Sequence, residues 1–270
     1  MSLIIFSHAN SFPAATYGVL FKHLRSRGYV VRAVDKFGHE PQYPVTNNWR
    51  HLVQQLHDFT QREIEKHGGE PAFLVGHSLG GFLSLLCAAH HPQLARGALL
   101  LDSPLLGGWK ATALGAIKRT QLVGSVSPGR VSRRRKNRWP SSDDALAYFR
   151  HKKAFAHFDP QVLHDYITHC THDEDGERVL SFDRDIETTI YNTLPDNLDR
   201  VLRRHPLKCG VGFIGARGSE EMKQVGLSMT AEVTRGRMMM LDGSHLFPME
   251  KPAATAAAIE AALRGYDWAH

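Results

Sequence analysis

Residues 71–89 constrain this chain more than any other stretch. Pro71-Ala72-Phe73-Leu74-Val75 is a short apolar run rich in β-forming residues, and Phe82-Leu83-Ser84-Leu85-Leu86-Cys87-Ala88-Ala89 is rich in Leu and Ala. The first reads as a buried strand and the second as a helix. Between them lies Gly76-His77-Ser78-Leu79-Gly80-Gly81, which contains G-x-S-x-G. A strand that becomes a helix over so few residues must bend sharply. Side chains at the flanking positions would clash there, and glycine relieves the clash. The bend lifts the Ser78 hydroxyl above the end of a sheet. The helix behind it aims its N-terminal amides at any negative charge that forms beside the serine. The plainer alternative is a tight turn with a structural serine, and the strand–turn–helix context argues against it.

Around this stretch, strand and helix patterns alternate. Leu3 to Phe6, Tyr29 to Asp35 and Ala98 to Leu101 read as strands; Tyr17 to Arg27 and Trp49 to Lys66 carry apolar residues at helical spacing. Such alternation implies a parallel sheet with helices on both faces. From Ser103 to about Pro206 the alternation stops. Helical patterns over Ala113 to Leu122, Asp143 to His157, Pro160 to His169 and Asp185 to Arg203 are expected there, without a strand. Order returns with a strand at Cys209 to Gly215, a helix over Glu220 to Val233, a strand at Arg237 to Leu241 and a last helix from Pro252 to Arg264. The expected organisation is a core of residues 1–102 and 207–270 with a helical insertion of residues 103–206.

The 270 residues suit one α/β domain with such an insertion. Three cysteines, Cys87, Cys170 and Cys209, make no disulfide framework, and Cys87 and Cys209 fall on expected buried elements. That usage favours a reducing cytoplasm. The N-terminus lacks the charge and apolar length of a signal peptide, and no run is apolar enough for stable insertion in a bilayer. The net charge of +6 is concentrated in Arg130, Arg133, Arg134, Arg135, Lys136 and Arg138. Such a run can meet phosphates or an anionic surface. With no nucleic-acid-binding motif beside it, a solvated face is the expectation, and no nucleic-acid partner. The segment His169 to Glu177 is rich in His, Asp and Glu but lacks metal-ligand spacing, so it reads as an exposed loop; neither a metal nor a cofactor is implied.

The sequence Val75-Gly76-His77-Ser78-Leu79-Gly80-Gly81, the helical insertion after the following strand, and the late loop Leu241-Asp242-Gly243-Ser244-His245 with Glu250-Lys251-Pro252 resemble the α/β-hydrolase superfamily over nearly the whole chain. The resemblance implies a mostly parallel, doubly wound sheet with an inserted helical cap. The first strand already runs into His8-Ala9-Asn10, the loop that usually follows the family's third strand, so the first two edge strands are expected to be missing. The resemblance further implies Ser78 as nucleophile, His245 as its base, and an oxyanion hole from the amides of Leu79 and Asn10. His77 and His8 are expected to pack or position.

The acid that orients the histidine is less direct. The family's usual Gly-x-x-Asp after the cap reads here Gly215-Ala216-Arg217-Gly218, with glycine in the aspartate's place. Asp102, at the end of the strand after the elbow, is the favoured replacement, since haloalkane dehalogenases and some lipases carry their acid there. Glu220, just past the usual position, is the alternative. The activity implied is hydrolysis of a small ester, thioester or amide with an apolar acyl part. Trp109, Trp139, Tyr148, Phe149, Phe155, Phe158 and Tyr166 are candidates to line the cap's pocket or fill its core. Two other readings stay open: an inactive binding protein on the same fold, favoured by Gly218, and haloperoxidase or lyase chemistry without a cofactor at the same site.

Overall fold

The computed structural model describes residues 1–107 and 129–268. Four strands come from the first third of the chain: β1 (Leu3–Ser7), β2 (Val30–Ala33), β3 (Ala72–His77) and β4 (Ala95–Leu101). They are interleaved with helices α1 (Gly18–Ser26), α2 (Arg50–Lys66) and α3 (Leu79–His90). All five residues of β1 and all six of β3 are buried. Apart from Ser7 and His77 at their carboxyl ends, both strands are apolar on both faces rather than alternating, as a parallel strand covered on both faces must be.

The six-stranded sheet has the order β2-β1-β3-β4-β8-β9, with β8 at Val211–Ala216 and β9 at Met238–Leu241, and every pairing is parallel. Successive strand residues feed opposite faces. Ile4, Phe6, Val75 and Leu99 pack toward Tyr17 just before α1, Leu20 and Leu24 of α1, and Ile259 of the last helix, Pro252–Gly265. Ile5, Leu74 and Leu100 pack toward Leu52 and Leu56 of α2 and Leu83 and Leu86 of α3. This is the doubly wound arrangement expected. Strand order reverses between β1 and β3, and at such a switch point the loops leaving the carboxyl ends of two neighbouring strands diverge and open a crevice. Ser78 and Asn10 lie on those two loops.

Because β4 pairs directly with β8, the described residues between them lie outside this sheet. This insertion corrects the sequence reading in one respect. It contains a three-stranded antiparallel sheet, β5-β7-β6, formed by β5 (Arg138–Trp139), β6 (Thr171–Glu174) and β7 (Glu177–Leu180). The segment read as an exposed loop is therefore a hairpin. Its two-residue turn, Asp175-Gly176, has φ of 53° and 79°, the left-handed pair that Asp-Gly turns adopt. The strands went unread because most of β6 is exposed and polar, which gives no apolar alternation.

Two long helices expected from the sequence are also split. Gly226, at φ 83°, separates Glu220–Val225 from Ser228–Thr234. Residues around Pro195 separate Arg184–Asn192 from Leu198–Arg204. The expected helix over Ala113 to Leu122, and Trp109, lie outside the described residues. Among the described residues, no helix is long and apolar enough to cross a membrane.

Candidate active site

At the end of β3 the backbone reverses through Ser78, whose φ of 53° and ψ of −115° are unusual for a residue with a side chain. A conformation of this kind costs about 1–3 kcal/mol and persists only where the surroundings enforce it. Three glycines let them do so. A Cβ on Gly76 would lie 2.0 Å from the Gly80 carbonyl oxygen, one on Gly80 would lie 1.9 Å from that of Ser7, and one on Gly81 would lie 2.0 Å from Ser103 Oγ. The Ser78 amide donates to the Leu101 carbonyl at 3.0 Å, and Ser103 Oγ donates to the Ser78 carbonyl at 2.9 Å. The bend is thus clamped between β1 and β4. Ser78 is half-buried, and its hydroxyl has no hydrogen-bond partner among the described residues. Leu79, the first residue of α3, has an amide that no turn of its own helix can satisfy.

His245 lies on the loop after β9. Its Nδ1 donates to Asp102 Oδ2 at 2.7 Å, which leaves Nε2 as the open ring nitrogen. Asp102 is fully buried. Its Oδ1 accepts from the Ala216 amide at 2.8 Å, and its Oδ2 also accepts from Ser219 Oγ at 2.5 Å. Glu220 is elsewhere: its carboxylate takes Lys223 Nζ at 2.6 Å and is largely exposed. Glu221, which the sequence did not single out, comes within 3.8 Å of His245 Nδ1. Gly218 explains why the usual aspartate is absent. Its amide donates to the Gly243 carbonyl at 3.0 Å, and a Cβ there would lie 2.7 Å from that same oxygen. The loop after β8 supplies no acid, but through Ala216 and Ser219 it holds the one that β4 supplies.

No hydrogen bond joins Ser78 Oγ to His245 Nε2. The two residues are nevertheless tied together through His77. Burial pushes the His77 pKa well below its ordinary value, so the ring is neutral and carries one proton. A carbonyl can only accept, so Nε2–H donates to the His245 carbonyl at 2.8 Å. Nδ1 then accepts from Tyr17 OH at 2.7 Å, and Tyr17 OH accepts from the Ala9 amide at 3.0 Å. His8 is held the same way. Burial lowers its pKa to about 4, its Nδ1–H donates to the Ala9 carbonyl at 2.8 Å, and its Nε2 accepts from the Phe37 amide at 3.0 Å. Tyr17 carries no sequence signal of this role beyond its place at the start of α1.

Asn10 follows Ala9 on this loop and is buried. Its Nδ2 donates to the Glu187 carbonyl at 3.1 Å, while its Oδ1 is buried without a partner among the described residues. Ser11 Oγ donates to Glu187 Oε1 at 2.5 Å, and Glu187 Oε2 receives Arg135 at 2.8 Å. The loop after β1 is therefore pinned to the insertion. On the other side, Ser244 gives its amide and hydroxyl to Glu250, at 3.0 and 2.5 Å, which closes the loop carrying His245. Among the described residues one group of three potential metal ligands converges, Asp102, Glu221 and His245. There the donor atoms Nδ1 and Oδ2 already share a proton at 2.7 Å, and an ion between them would break that hydrogen bond.

A parallel sheet whose G-x-S-x-G elbow sits at the switch point defines an α/β-hydrolase. The chain belongs to the Hydrolase_4 family, serine aminopeptidase S33, whose model matches residues 2–169. It is 28% identical over 178 residues to a monoglyceride lipase homolog of Monkeypox virus, covering 60% of this chain and 62% of that protein. It is 31% identical over 130 residues to the monoglyceride lipase of Homo sapiens, covering 47% of this chain and 43% of that one. The chain thus spans less than two thirds of the length of these curated relatives. Its fold is similar to that of E-2-(acetamidomethylene)succinate hydrolase, with a TM-score of 0.71 at 21% identity, covering 97% of this chain and 91% of that one.

Proposed function

We propose that this chain is a serine hydrolase that cleaves a small carboxylic ester through a Ser78 acyl-enzyme. The observation that carries the reading is the fully buried Asp102 carboxylate 2.7 Å from His245 Nδ1. That contact fixes the tautomer in which Nε2 accepts a proton, and it stabilises the imidazolium once formed. His245 Nε2 takes the proton of Ser78 Oγ as the oxygen attacks the ester carbonyl. The oxyanion is met by the amides of Leu79 and Asn10 and by the positive end of α3. His245 then returns the proton to the leaving alcohol. A water activated by the same nitrogen hydrolyses the acyl-enzyme and regenerates Ser78.

The monoglyceride lipase relatives favour an ester over an amide, and the thioester is chemically the nearest variant. Gly218, which favours an inactive binding protein on sequence alone, does not deprive the histidine of an acid. Residues 103–206 act as the cap in this reading, and the three free, buried cysteines suit a reducing cytoplasm. The test is ester turnover and fluorophosphonate labelling of the wild type and of Ser78→Ala. Both activities are expected to fall to background in the variant. Full turnover or full labelling in the variant would overturn the assignment.

A further inference from the structure

Between the loop after β1 and the insertion lies a cavity of 1010 Å³. That is room for a ligand of several hundred daltons. It meets the site loop at Ser11 and Phe12, directly after Asn10, and takes in neither Ser78 nor His245. Its wall is aromatic: Phe12 packs 5.9 Å from Phe155, and Phe155 packs 4.7 Å from Phe149, centroid to centroid. Its rim is cationic, with Arg134, Lys136, Lys152 and Lys153 all lining it and all exposed.

Arg134 and Lys136 from the basic run, with Lys152 and Lys153 from the segment after it, differ from two other members of that run. Arg135 is neutralised by Glu187 at 2.8 Å and held by Tyr166 OH at 2.7 Å; Arg138 is paired with Glu174 and Glu177. Arg134, Lys136, Lys152 and Lys153 have no acidic partner among the described residues. Lys152 Nζ sits 4.4 Å and Lys136 Nζ 5.5 Å from the Tyr148 ring centre, which keeps both charges at the cavity. Among the described residues the one carboxylate lining the cavity, Glu187, is already consumed by Arg135 and Ser11. Four cations without an acidic partner around an apolar hollow favour an anion there. A neutral glyceride would leave all four uncovered.

Resting on the serine-hydrolase reading, we propose that this cavity binds the anionic end of an amphiphilic substrate. The head is a phosphate or a carboxylate, and the adjoining chain lies on Phe12, Phe149 and Phe155 and leads past Asn10 toward Ser78. Phe149 and Phe155 are themselves buried, out of reach of a bilayer, so the ligand is a single dissolved amphiphile.

Calorimetric titration of the full chain with decyl phosphate, decanoate and decyl glucoside, each below its micelle concentration, tests this. Both anions are expected to bind more tightly than the glucoside and to weaken as salt is raised. The tighter of the two assigns the head as phosphate or carboxylate. K152Q/K153Q, two changes at exposed positions, is expected to weaken the better anion about tenfold and to leave the glucoside unchanged. In the wild type the anion is also expected to slow fluorophosphonate labelling of Ser78. Equal affinity for anion and glucoside, an unaltered double variant, or binding only to anionic vesicles would overturn the proposal. Absence of labelling without any ligand would instead sink the hydrolase reading and leave the binding result standing.

Discussion

His77 donates its Nε2 proton to the carbonyl oxygen of His245 at 2.8 Å, so the residue next to the elbow serine holds the loop that carries the imidazole. The same ring accepts from Tyr17, which in turn takes the Ala9 amide beside Asn10. One neutral side chain therefore sets the relative position of Ser78, His245 and the loop bearing Asn10. Tyr17→Phe removes the hydroxyl and strands two buried polar groups, at a cost of about 1–3 kcal/mol. His77→Ala strands the His245 carbonyl and the Tyr17 hydroxyl as well. Both variants are expected to lower the denaturant midpoint, and kcat is expected to fall at least tenfold while fluorophosphonate still reaches Ser78. A kcat unchanged in both would show that these bonds serve folding alone.

Asp102 accepts from both His245 and Ser219, whereas Glu220 pairs with Lys223, and this separates the candidate acids. Asp102→Asn keeps the shape but favours the wrong histidine tautomer, which costs roughly three to four orders of magnitude in kcat. Glu220→Gln, remote from the imidazole, is expected to be close to wild type. Ser219→Ala loses the bond to Asp102 and also the cap of the helix Glu220–Val225, since Ser219 Oγ accepts the Met222 amide at 3.2 Å. Its stability is expected to drop by about 1–2 kcal/mol with a smaller loss of rate than Asp102→Asn. Steady-state kinetics on the three variants decide the matter. Equal, mild losses in Asp102→Asn and Glu220→Gln would leave a serine–histidine pair without an acid.

The elbow and the sheet could be read from the chain because their causes are local. An apolar run buried on both faces and glycines at fixed offsets are written within about twenty residues. The contacts around Asp102 are not local. Its partners Ala216, Ser219 and His245 are separated from it by 114, 117 and 143 positions. The sequence could nominate Asp102 and Glu220, but no property of either residue in isolation decides which one meets the imidazole. The hairpin in the insertion fails for a different reason. Its strand Thr171–Glu174 is held by its partners and by the Asp175-Gly176 turn rather than by an apolar face, so periodicity is silent and only the turn speaks.

The buried histidines predict an acid limit. His8 is held at about 4 against an ordinary 6.5, and His77 is also shifted downward, both chiefly by burial. The folded state therefore keeps them neutral where the unfolded chain takes up protons. Stability is complete above about pH 6.5 and declines as pH falls toward 4, by roughly 3 kcal/mol for His8 alone. Carboxylates held low in the folded state, such as Asp58 and Glu63, add their loss only nearer pH 4, so the interval from 6.5 to 5 isolates the histidines. Urea midpoints measured across that interval are expected to fall in the wild type and to fall less steeply in His8→Gln. Parallel slopes would remove His8 as a source.

Among the described glycines the closest approach is at Gly80, where an added methyl would stand 1.9 Å from the Ser7 carbonyl oxygen and 2.8 Å from Ser7 Cβ. Neither atom can yield easily. Ser7 is the last residue of β1, paired with Gly76 of β3, and is itself buried. Gly80→Ala must therefore push α3 away from β1. The same displacement tilts the Leu79 amide and the Ser78 hydroxyl, and it widens the gap to the loop bearing Asn10. A loss of about 3 kcal/mol or more in stability is expected, together with loss of turnover in whatever fraction stays folded. Gly218→Ala offers the contrast, because its clash with the Gly243 carbonyl lies on a surface turn 2.7 Å away and can relax by moving the two loops apart. Its expected effect is a modest fall in stability and a larger one in kcat, through the displaced His245 loop. Comparing denaturation and kcat for the two variants separates a strained elbow from a strained base loop. A Gly80→Ala protein as stable and active as the wild type would mean that the close packing of α3 on β1 does not hold Ser78 in place.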